Sequence, residues 1–319
     1  MKKGDTINGY LIVGVEGKDF STKGGGLSKW TFAIKGGIYY FMKEFLSPIF
    51  PASGYPGSPE LKARKKIECE DFVEQHKILI DTVNKHVTST CSLVYTEEFF
   101  LFGTKYYKIT RKVDISPINI VQIAKLQIEK RLFLLKTLSE SLAILHNAGI
   151  VHGDLKPDNI LIKEVVNNYY TSNLIDYDNC YFAGNPPTTD KLVGDLPYYS
   201  PELENYALGM FASKASDLTQ KSDIFALGLL FCQYLTGSLP SITPNYKHTS
   251  SAVNDGIIIR INTSNELPAE LVKLINSMLL KSPVHRPDIN QILLVLDKIP
   301  QKNIIQKGRL IINLGAKKL

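Results

Sequence analysis

The sequence predicts an α+β protein in which an antiparallel sheet with one helix comes first and a mainly helical part follows. Three observations predict this order. Residues 10–46 contain short runs of β-branched and aromatic residues separated by glycines, as in strands joined by turns. From residue 120, leucines and isoleucines recur at three- and four-residue steps, which is typical of amphipathic helices. After residue 200 the pattern is mostly helical, and the chain shows no internal repeat.

Five strands and one helix are predicted in the first part. Gly36-Gly37 predicts a hairpin between the second and third strands. The proline- and glycine-rich segment Ser47–Pro59 is predicted to be a loop, because its prolines exclude a helix. A helix can start at Ser58-Pro59-Glu60 and would run to about Val83. The predicted strands are Tyr10–Val15, Trp30–Ile34, Ile38–Leu46, Leu93–Phe102 and Tyr106–Val113.

Composition limits the class of protein. The 319 residues are 44% hydrophobic and 21% charged, which excludes disorder as the dominant state. The net charge of +6 is too small to indicate nucleic-acid binding. The four cysteines are too scattered for a metal or redox pair, and no apolar run is long enough to span a membrane. We therefore expect a cytoplasmic protein with neither a nucleic-acid partner nor a membrane segment.

The strongest chemical signal is VHGDLKPDNIL at residues 151–161, directly after the helix predicted from Ile128. Phosphoryl transfer needs a carboxylate that orients the attacking hydroxyl and ligands for the metal that neutralises the phosphates. Asp154 fits the role of the carboxylate. Lys156 fits a position beside the transferred phosphate, and Asn159 fits the role of a metal ligand. A solvated turn is the alternative, but it does not account for so many fitting positions.

This segment closely resembles the catalytic loop H-R-D-x-K-x-x-N of eukaryotic-type protein kinases, over roughly residues 10–298. The third-strand sequence Lys43-Glu44-Phe45-Leu46 is similar to that of a bacterial branch of these kinases. The resemblance implies a protein-kinase-like two-lobed fold, with residues 1–113 as the N-lobe, 114–299 as the C-lobe and 300–319 as a basic tail. It implies a serine/threonine protein kinase that uses ATP and Mg²⁺, with Mn²⁺ as an alternative. Its protein substrates are unknown, and they include the chain itself if it autophosphorylates.

The resemblance assigns further residues that hold the phosphates and the metal. Asp176 follows an apolar pair and is the second metal ligand. Lys43, on the third strand, binds the α- and β-phosphates of the nucleotide. Its glutamate partner is expected on the next helix, where Glu74 is favoured because Ile78, one turn later, can pack inward; Glu70 remains a rival.

The remaining nucleotide contacts are also implied by the resemblance. A glycine loop cradles the phosphates, since backbone amides approach closely only where side chains are absent. Thr110 is the gatekeeper, the residue at the back of the adenine pocket. The backbone of Arg111 and Val113 bonds the adenine, and a shift of this assignment by one residue along the chain stays open. Phe41 replaces a small residue of the family, and Ala33 makes compensating room. The loop glycines are Gly24, Gly25 and Gly26, and the pocket lining is Ala33, Phe41 and Leu161.

Two structural roles follow from the same resemblance. Glu202, in Ser200-Pro201-Glu202, and Arg286 form a buried ion pair, and Asp223 anchors the catalytic loop. The chain also departs from the family. Gly153 replaces the arginine that pairs with a phosphorylated activation loop, so such switching is not expected. Asp195 stands where a threonine is usual and adds a carboxylate near the site.

Two other classes compete with the protein kinase. Small-molecule kinases of the aminoglycoside-phosphotransferase type often carry H-G-D, which Gly153 matches, whereas Lys156, Asp223 and Arg286 favour a protein kinase. A pseudokinase that only binds would lack Lys43, Asp154, Asn159 or Asp176, and all four are present. The choice of serine and threonine over tyrosine rests mainly on Lys156.

Overall fold

The chain folds into two compact units. Among the described residues, the first unit lies within 1–86 and 94–114, and the second contains residue 93 and lies otherwise within 115–299. The predicted α+β class is confirmed, because a sheet with one helix precedes a mainly helical part. The computed structural model describes residues 1–22, 28–86, 93–210, 213–261 and 267–299.

The first unit contains a six-stranded sheet in the order β1-β2-β3-β4-β6-β5 and one long helix. The strands are β1 (Thr6–Ile7), β2 (Tyr10–Ile12), β3 (Ser28–Lys35), β4 (Ile38–Phe45), β5 (Thr96–Phe102) and β6 (Lys105–Arg111). Helix α1 (Pro59–His86) begins as predicted, where the Ser58 hydroxyl accepts a 3.3 Å hydrogen bond from the Leu61 N–H. It ends slightly beyond the predicted Val83.

One face of the sheet is packed as a core. Ala33 is 0% exposed and lies in a hydrophobic cluster with Tyr10, Tyr40 and Met42. Ala33 pairs with Tyr40 across β3 and β4, and paired residues share a face. Lys43 is one residue from Met42, and successive side chains point to opposite faces. The prediction that Ala33 lines the pocket beside Lys43 is therefore wrong.

A buried carboxylate lies on the packed face of the sheet. Glu44 is 2% exposed and accepts hydrogen bonds from Lys105 Nζ at 2.8 Å and from the Tyr107 hydroxyl at 3.0 Å. Lys29 Nζ lies 3.2 Å from the same carboxylate. Burial alone would raise the pKa of Glu44, but these partners outweigh burial and lower the pKa below its ordinary value. The network stabilises the ionised glutamate.

The second unit is mainly helical. Its strands are β7 (Ile150–Val151), β8 (Ile160–Val166), β9 (Tyr169–Leu174) and β10 (Tyr181–Phe182). Its helices are α2 (Ile120–Ala124), α3 (Ile128–Asn147), α4 (Pro201–Ala207), α5 (Gln220–Thr236), α6 (Thr249–Asn254), α7 (Ala269–Met278) and α8 (Ile289–Lys298). Helix α3 packs against β9, α5 and α8, and α5 packs against α2 and α7.

The long helix α3 forms where the leucine spacing predicts it. Its apolar stripe is buried, with every leucine of the stripe at most 3% exposed: Leu132, Leu135, Leu138, Leu142 and Leu145. No helix within the described ranges is long and apolar enough to cross a membrane.

The predicted ion pair between Glu202 and Arg286 is confirmed. Arg286 is 2% exposed and Glu202 is 6% exposed. Arg286 Nη1 and Nη2 donate to Glu202 Oε1 at 2.7 Å and Oε2 at 2.8 Å. Ser200 caps α4 by accepting a 3.3 Å hydrogen bond from the Leu203 N–H, which fixes the helical turn that bears Glu202.

Candidate active site

The segment between β7 and β8 brings together three of the residues that the sequence singled out. Asp154 is 6% exposed, and its Oδ2 accepts from Lys156 Nζ at 2.9 Å and from Asn159 Nδ2 at 3.0 Å. Asn159 Nδ2 also donates to the Asp154 carbonyl at 2.7 Å. Asp154 Oδ1 is buried and has no hydrogen-bond partner among the described residues. One carboxylate oxygen is thus held in place, and the other keeps an acceptor capacity that no described residue uses.

Asp223 anchors this segment, as the sequence predicts. Its Oδ2 accepts from the His152 N–H at 2.7 Å and lies 3.0 Å from His146 Nε2. Its Oδ1 accepts from the Gly153 N–H at 3.0 Å. Asp223 lies in the first turn of α5 and is 2% exposed. The anchor thereby fixes the backbone immediately before Asp154. His146 was not singled out from the sequence, where a histidine near the end of a helix gives no specific signal.

Gly153 adopts a conformation and a packing that disfavour a side chain at this position. Its φ is +78°, in the left-handed region that favours glycine. A Cβ atom at this position would lie 2.9 Å from Tyr181 Cε1 and 3.3 Å from the Asn179 carbonyl oxygen. Tyr181, in β10, pairs with Val151 of β7. The Tyr181 ring thus occupies the space into which a side chain at position 153 would project, a contact that the sequence does not reveal.

Asn159 and Asp176 are the two predicted metal ligands. The β8–β9 hairpin leads to Asp176, whose φ of +63° is unusual for a residue other than glycine and is typical of strained functional positions. The Ile175 N–H donates to the Asn159 carbonyl at 3.0 Å, which links the two ligand-bearing segments. Because Asn159 Nδ2 donates to Asp154, Asn159 Oδ1 is the side-chain atom suited to a cation.

The donor set fits Mg²⁺ bound together with phosphates. Within the described part of the chain, no group of three or more His, Cys, Asp or Glu side chains is placed to hold a metal. Mg²⁺ prefers oxygen ligands and is usually held by one or two carboxylates together with substrate phosphates. A site that offers Asn159 and Asp176 therefore suits a nucleotide-bound metal better than a metal held by protein alone.

Asp195 adds a second carboxylate near Asp154. The two residues line one small pocket together with Tyr199. Burial raises the pKa of Tyr199, and the charges of Asp154 and Asp195 raise it further. Asp195 thus adds a second negative charge to the surroundings of Tyr199.

In the first unit, Lys43 lies on the face of the sheet opposite the packed core. The register puts it beside Trp30 of β3 and Lys108 of β6. Lys108 is only 5% exposed, and the sequence analysis missed it. A lysine in a strand is usually exposed to solvent, so the sequence gives no signal for Lys108. Only the pairing of Lys108 with Lys43 in the sheet singles it out. The two adjacent lysines place positive charge on this face of the sheet.

The glutamate partner of Lys43 stays a prediction. Glu74 and Glu70 are both exposed, and Ile78 is 46% exposed. The expectation that Ile78 packs inward is wrong, because a different side of α1 faces the sheet. The argument that favoured Glu74 over Glu70 therefore falls, and the choice stays open. The buried side chains of α1 are Cys69, His76 and Val83.

The other residues predicted to contact the nucleotide lie in separate elements of the chain. Thr110 pairs with Phe41 and is half-buried, on the same face as Lys43. The Lys112 N–H donates to the Tyr39 carbonyl at 3.1 Å, so the predicted adenine contacts rest on Arg111 and Val113. Leu161 is half-buried in β8. The glycine loop at residues 24–26 lies outside the described residues.

Comparison with known proteins identifies a family. The family model described as "Protein kinase domain" matches residues 60–295. The match covers the second unit up to α8 but begins after β4, so Lys43 and the glycine loop lie outside it.

Individual relatives are distant. A protein kinase and PP2C-like domain-containing protein of Arabidopsis thaliana is 28% identical over 54% of this chain and 29% of its own length. A probable serine/threonine-protein kinase of Dictyostelium discoideum is 26% identical over 67% of this chain and 21% of its own length. The ovarian-specific serine/threonine-protein kinase Lok of Drosophila melanogaster is 29% identical over 47% of this chain and 30% of its own length. The matches thus span less than a third of each relative.

Proposed function

Because this chain belongs to the protein kinase family, we propose that it transfers the γ-phosphate of ATP to serine or threonine hydroxyls of proteins. One observation carries the proposal: Asp154 is held by Lys156 and Asn159 through one oxygen, while its other oxygen is buried without a partner in the described chain. Such a carboxylate can orient a hydroxyl and accept its proton. The names of two relatives, from Dictyostelium and Drosophila, support the choice of serine and threonine.

The residues of the site divide the work of the transfer. Asp154 orients the hydroxyl and accepts its proton, and Lys156 stabilises negative charge beside that carboxylate. Asn159 and Asp176 would hold Mg²⁺, or Mn²⁺ as an alternative, and the metal neutralises the phosphates. Lys43 binds the α- and β-phosphates on the sheet. Catalysis in this scheme is positioning and charge stabilisation rather than covalent chemistry.

The second unit supports a protein substrate rather than a small molecule. The ion pair of Glu202 with Arg286 and the anchor at Asp223 are the features that favoured a protein kinase over an aminoglycoside-type kinase, and both are present as contacts. The sequence Lys43-Glu44-Phe45-Leu46 supports the further proposal that the chain belongs to the bacterial branch of these kinases.

The packing at Gly153 supports activity that does not depend on a phosphorylated activation loop. The family arginine at this position would need the space that Tyr181 fills. The catalytic segment is held instead by Asp223 and by the pairing of β7 with β10. We therefore expect transfer by protein that carries no phosphate on its loop.

The proposal is tested by incubating the purified chain with labelled ATP, Mg²⁺ and a basic protein substrate. Asp154→Asn keeps the shape of the side chain and should lower transfer about 10²–10⁴-fold, as loss of a general base does. Asp158→Asn is the matched control, because Asp158 lies in the same segment and is exposed. Phosphoamino-acid analysis identifies the hydroxyl that is modified, and phosphatase pretreatment tests independence from loop phosphorylation.

The outcomes separate the three classes of protein. Label on protein serine or threonine that disappears only in Asp154→Asn supports the proposal. Label on a small molecule but not on protein would assign the chain to the small-molecule kinases. Nucleotide binding without any transfer would make it a pseudokinase.

A further inference from the structure

Tyr181 is a buried aromatic residue of the second unit that lies beside the catalytic segment. It is 5% exposed, and in β10 it pairs with Val151 of β7, the strand that leads into this segment. It packs in a hydrophobic cluster with other buried residues, and we call these five residues the tyrosine cluster: Tyr181, Val151, Tyr199, Leu203 and Leu218. Because Leu203 belongs to α4, the cluster connects the catalytic segment with that helix.

The chain that follows β10 packs against the same cluster. Leu192 is partly buried and contacts it. Tyr206 of α4 also packs on the cluster, and its hydroxyl donates to the Pro187 carbonyl at 3.0 Å. The Ala183 N–H donates to the Gly149 carbonyl at 3.0 Å, just before β7. Apolar packing and hydrogen bonds thus join this loop, α4 and the catalytic segment around one tyrosine.

The ring of Tyr181 makes the close contacts of this residue. Its Cε1 atom would lie only 2.9 Å from a Cβ atom at position 153, so the ring fits closely against the glycine. The hydroxyl oxygen is buried and has no hydrogen-bond partner among the described residues. Burial raises the pKa of Tyr181, and the charges of Asp223 and Glu202 raise it further, so the hydroxyl stays neutral. A phenylalanine ring would therefore keep the packing that the tyrosine provides.

We propose that Tyr181 is a positioning residue, whose ring holds the catalytic segment, and with it Asp154, in the arrangement that transfer requires. This inference rests on the function proposed above and extends it to how the site is kept active. The family arginine that Gly153 replaces acts through a phosphate on the loop. In this chain the Tyr181 ring fills the space beside position 153, and it belongs to the cluster on which the loop packs. A permanent apolar contact takes the place of one that depends on phosphorylation.

Removing the ring tests this role in steady-state kinetics. In Tyr181→Leu, kcat should fall at least about tenfold and up to about 10²-fold, because a small displacement of the catalytic carboxylate is costly. The KM for ATP should stay unchanged, since no residue assigned to the nucleotide belongs to the tyrosine cluster. Tyr181→Phe keeps the ring and should retain the kcat of the wild-type protein, with or without phosphatase pretreatment.

Amide hydrogen exchange, followed by nuclear magnetic resonance, reports on the same contact without catalysis. The His152 and Gly153 N–H groups both donate to Asp223, so their protection measures how firmly the catalytic segment is held. Relative to amides of α3, which report global opening, these two should exchange on the order of tenfold faster in Tyr181→Leu. In Tyr181→Phe they should exchange as in the wild-type protein.

Phe231→Leu is the matched control, because it removes a fully buried ring of α5 that lies outside the tyrosine cluster. It should lower the Tm, as Tyr181→Leu does, but leave kcat and the relative exchange of the two amides unchanged. A general loss of stability is thereby separated from a loss of position.

The outcomes separate this proposal from the function on which it rests. If Tyr181→Leu keeps wild-type kcat and amide protection, the positioning role is wrong and the kinase function stands. If Phe231→Leu has the same effects as Tyr181→Leu, or if Tyr181→Phe is as impaired as Tyr181→Leu, packing by this ring is not the cause and the proposal is likewise overturned. If the wild-type protein transfers no phosphate, the proposed function fails, and the positioning role fails with it.

Discussion

Breaking the Glu202–Arg286 ion pair should destabilise the second unit strongly. Both side chains are nearly inaccessible, at 6% and 2% exposure, and two hydrogen bonds of 2.7 and 2.8 Å join them. Removing one partner of such a pair costs about 3–5 kcal/mol, because the other charge stays buried without compensation. The contacts that remain after each substitution decide where in this range each variant falls.

Arg286 keeps more partners than Glu202 does. In Glu202→Gln, Arg286 still donates to three backbone carbonyls, those of Leu280, Lys281 and Lys221. We expect a loss near the lower limit, about 3 kcal/mol. In Arg286→Met, the Glu202 carboxylate keeps the Ser222 hydroxyl, at 2.9 Å, as its donor among the described residues. We expect a loss near the upper limit, about 5 kcal/mol.

The assay is urea unfolding of both single variants and of the double variant, followed by far-ultraviolet circular dichroism. The double variant leaves no unpaired charge, so its loss should be smaller than the sum of the two single losses by about 2 kcal/mol or more. Lys136→Met is the matched control, because the Lys136–Asp297 pair is short, at 2.6 Å, but its side chains are 32% and 53% exposed. It should cost at most about 1 kcal/mol.

Two results would refute this reasoning. Additive losses in the double variant would show that the two charges do not stabilise each other. A loss in Arg286→Met no larger than that in Lys136→Met would show that burial adds nothing to the pair.

Three further substitutions test other contacts. Asp223→Asn should lower kcat about 10²-fold by displacing the catalytic segment, and an unchanged kcat in steady-state assays would contradict the anchor. Glu44→Gln should lower stability at neutral pH. Because the pKa of Glu44 is lowered from 4.5, this loss should shrink as pH falls below 4.5 and the wild-type carboxylate takes up its proton; a pH-independent difference in unfolding free energy would count against it. Gly153→Ala should cost at least about 1–2 kcal/mol for its positive φ, and thermal unfolding with an unchanged Tm would oppose the packing on Tyr181.

The catalytic segment could be predicted from the sequence because its information is local. Asp154, Lys156 and Asn159 lie within six consecutive residues, and their contacts are with one another. Asp223 and Arg286 were also found, since each belongs to a short motif of the resembling family. The partner of Arg286, Glu202, follows from the same resemblance, whereas His146 beside Asp223 does not.

Faces of strands and helices were predicted less well, because they depend on register and on packing between elements. Ala33 pairs with Tyr40 and thus faces the core, although its small size suggested a place in the pocket. Ile78 is apolar but exposed, since α1 turns Cys69 and His76 toward the interior. Lys108 is buried although lysines are rarely buried. No local pattern at these positions carries that information.

The contact between Gly153 and Tyr181 also bears on how this chain can change. An arginine at position 153 meets the Tyr181 ring, and loss of that ring alone leaves a hole beside a bare glycine. We expect each substitution alone to destabilise the catalytic segment, so the effect of one depends on whether the other is present. From this sequence, acquiring the family's arginine should therefore require a change at Tyr181 as well.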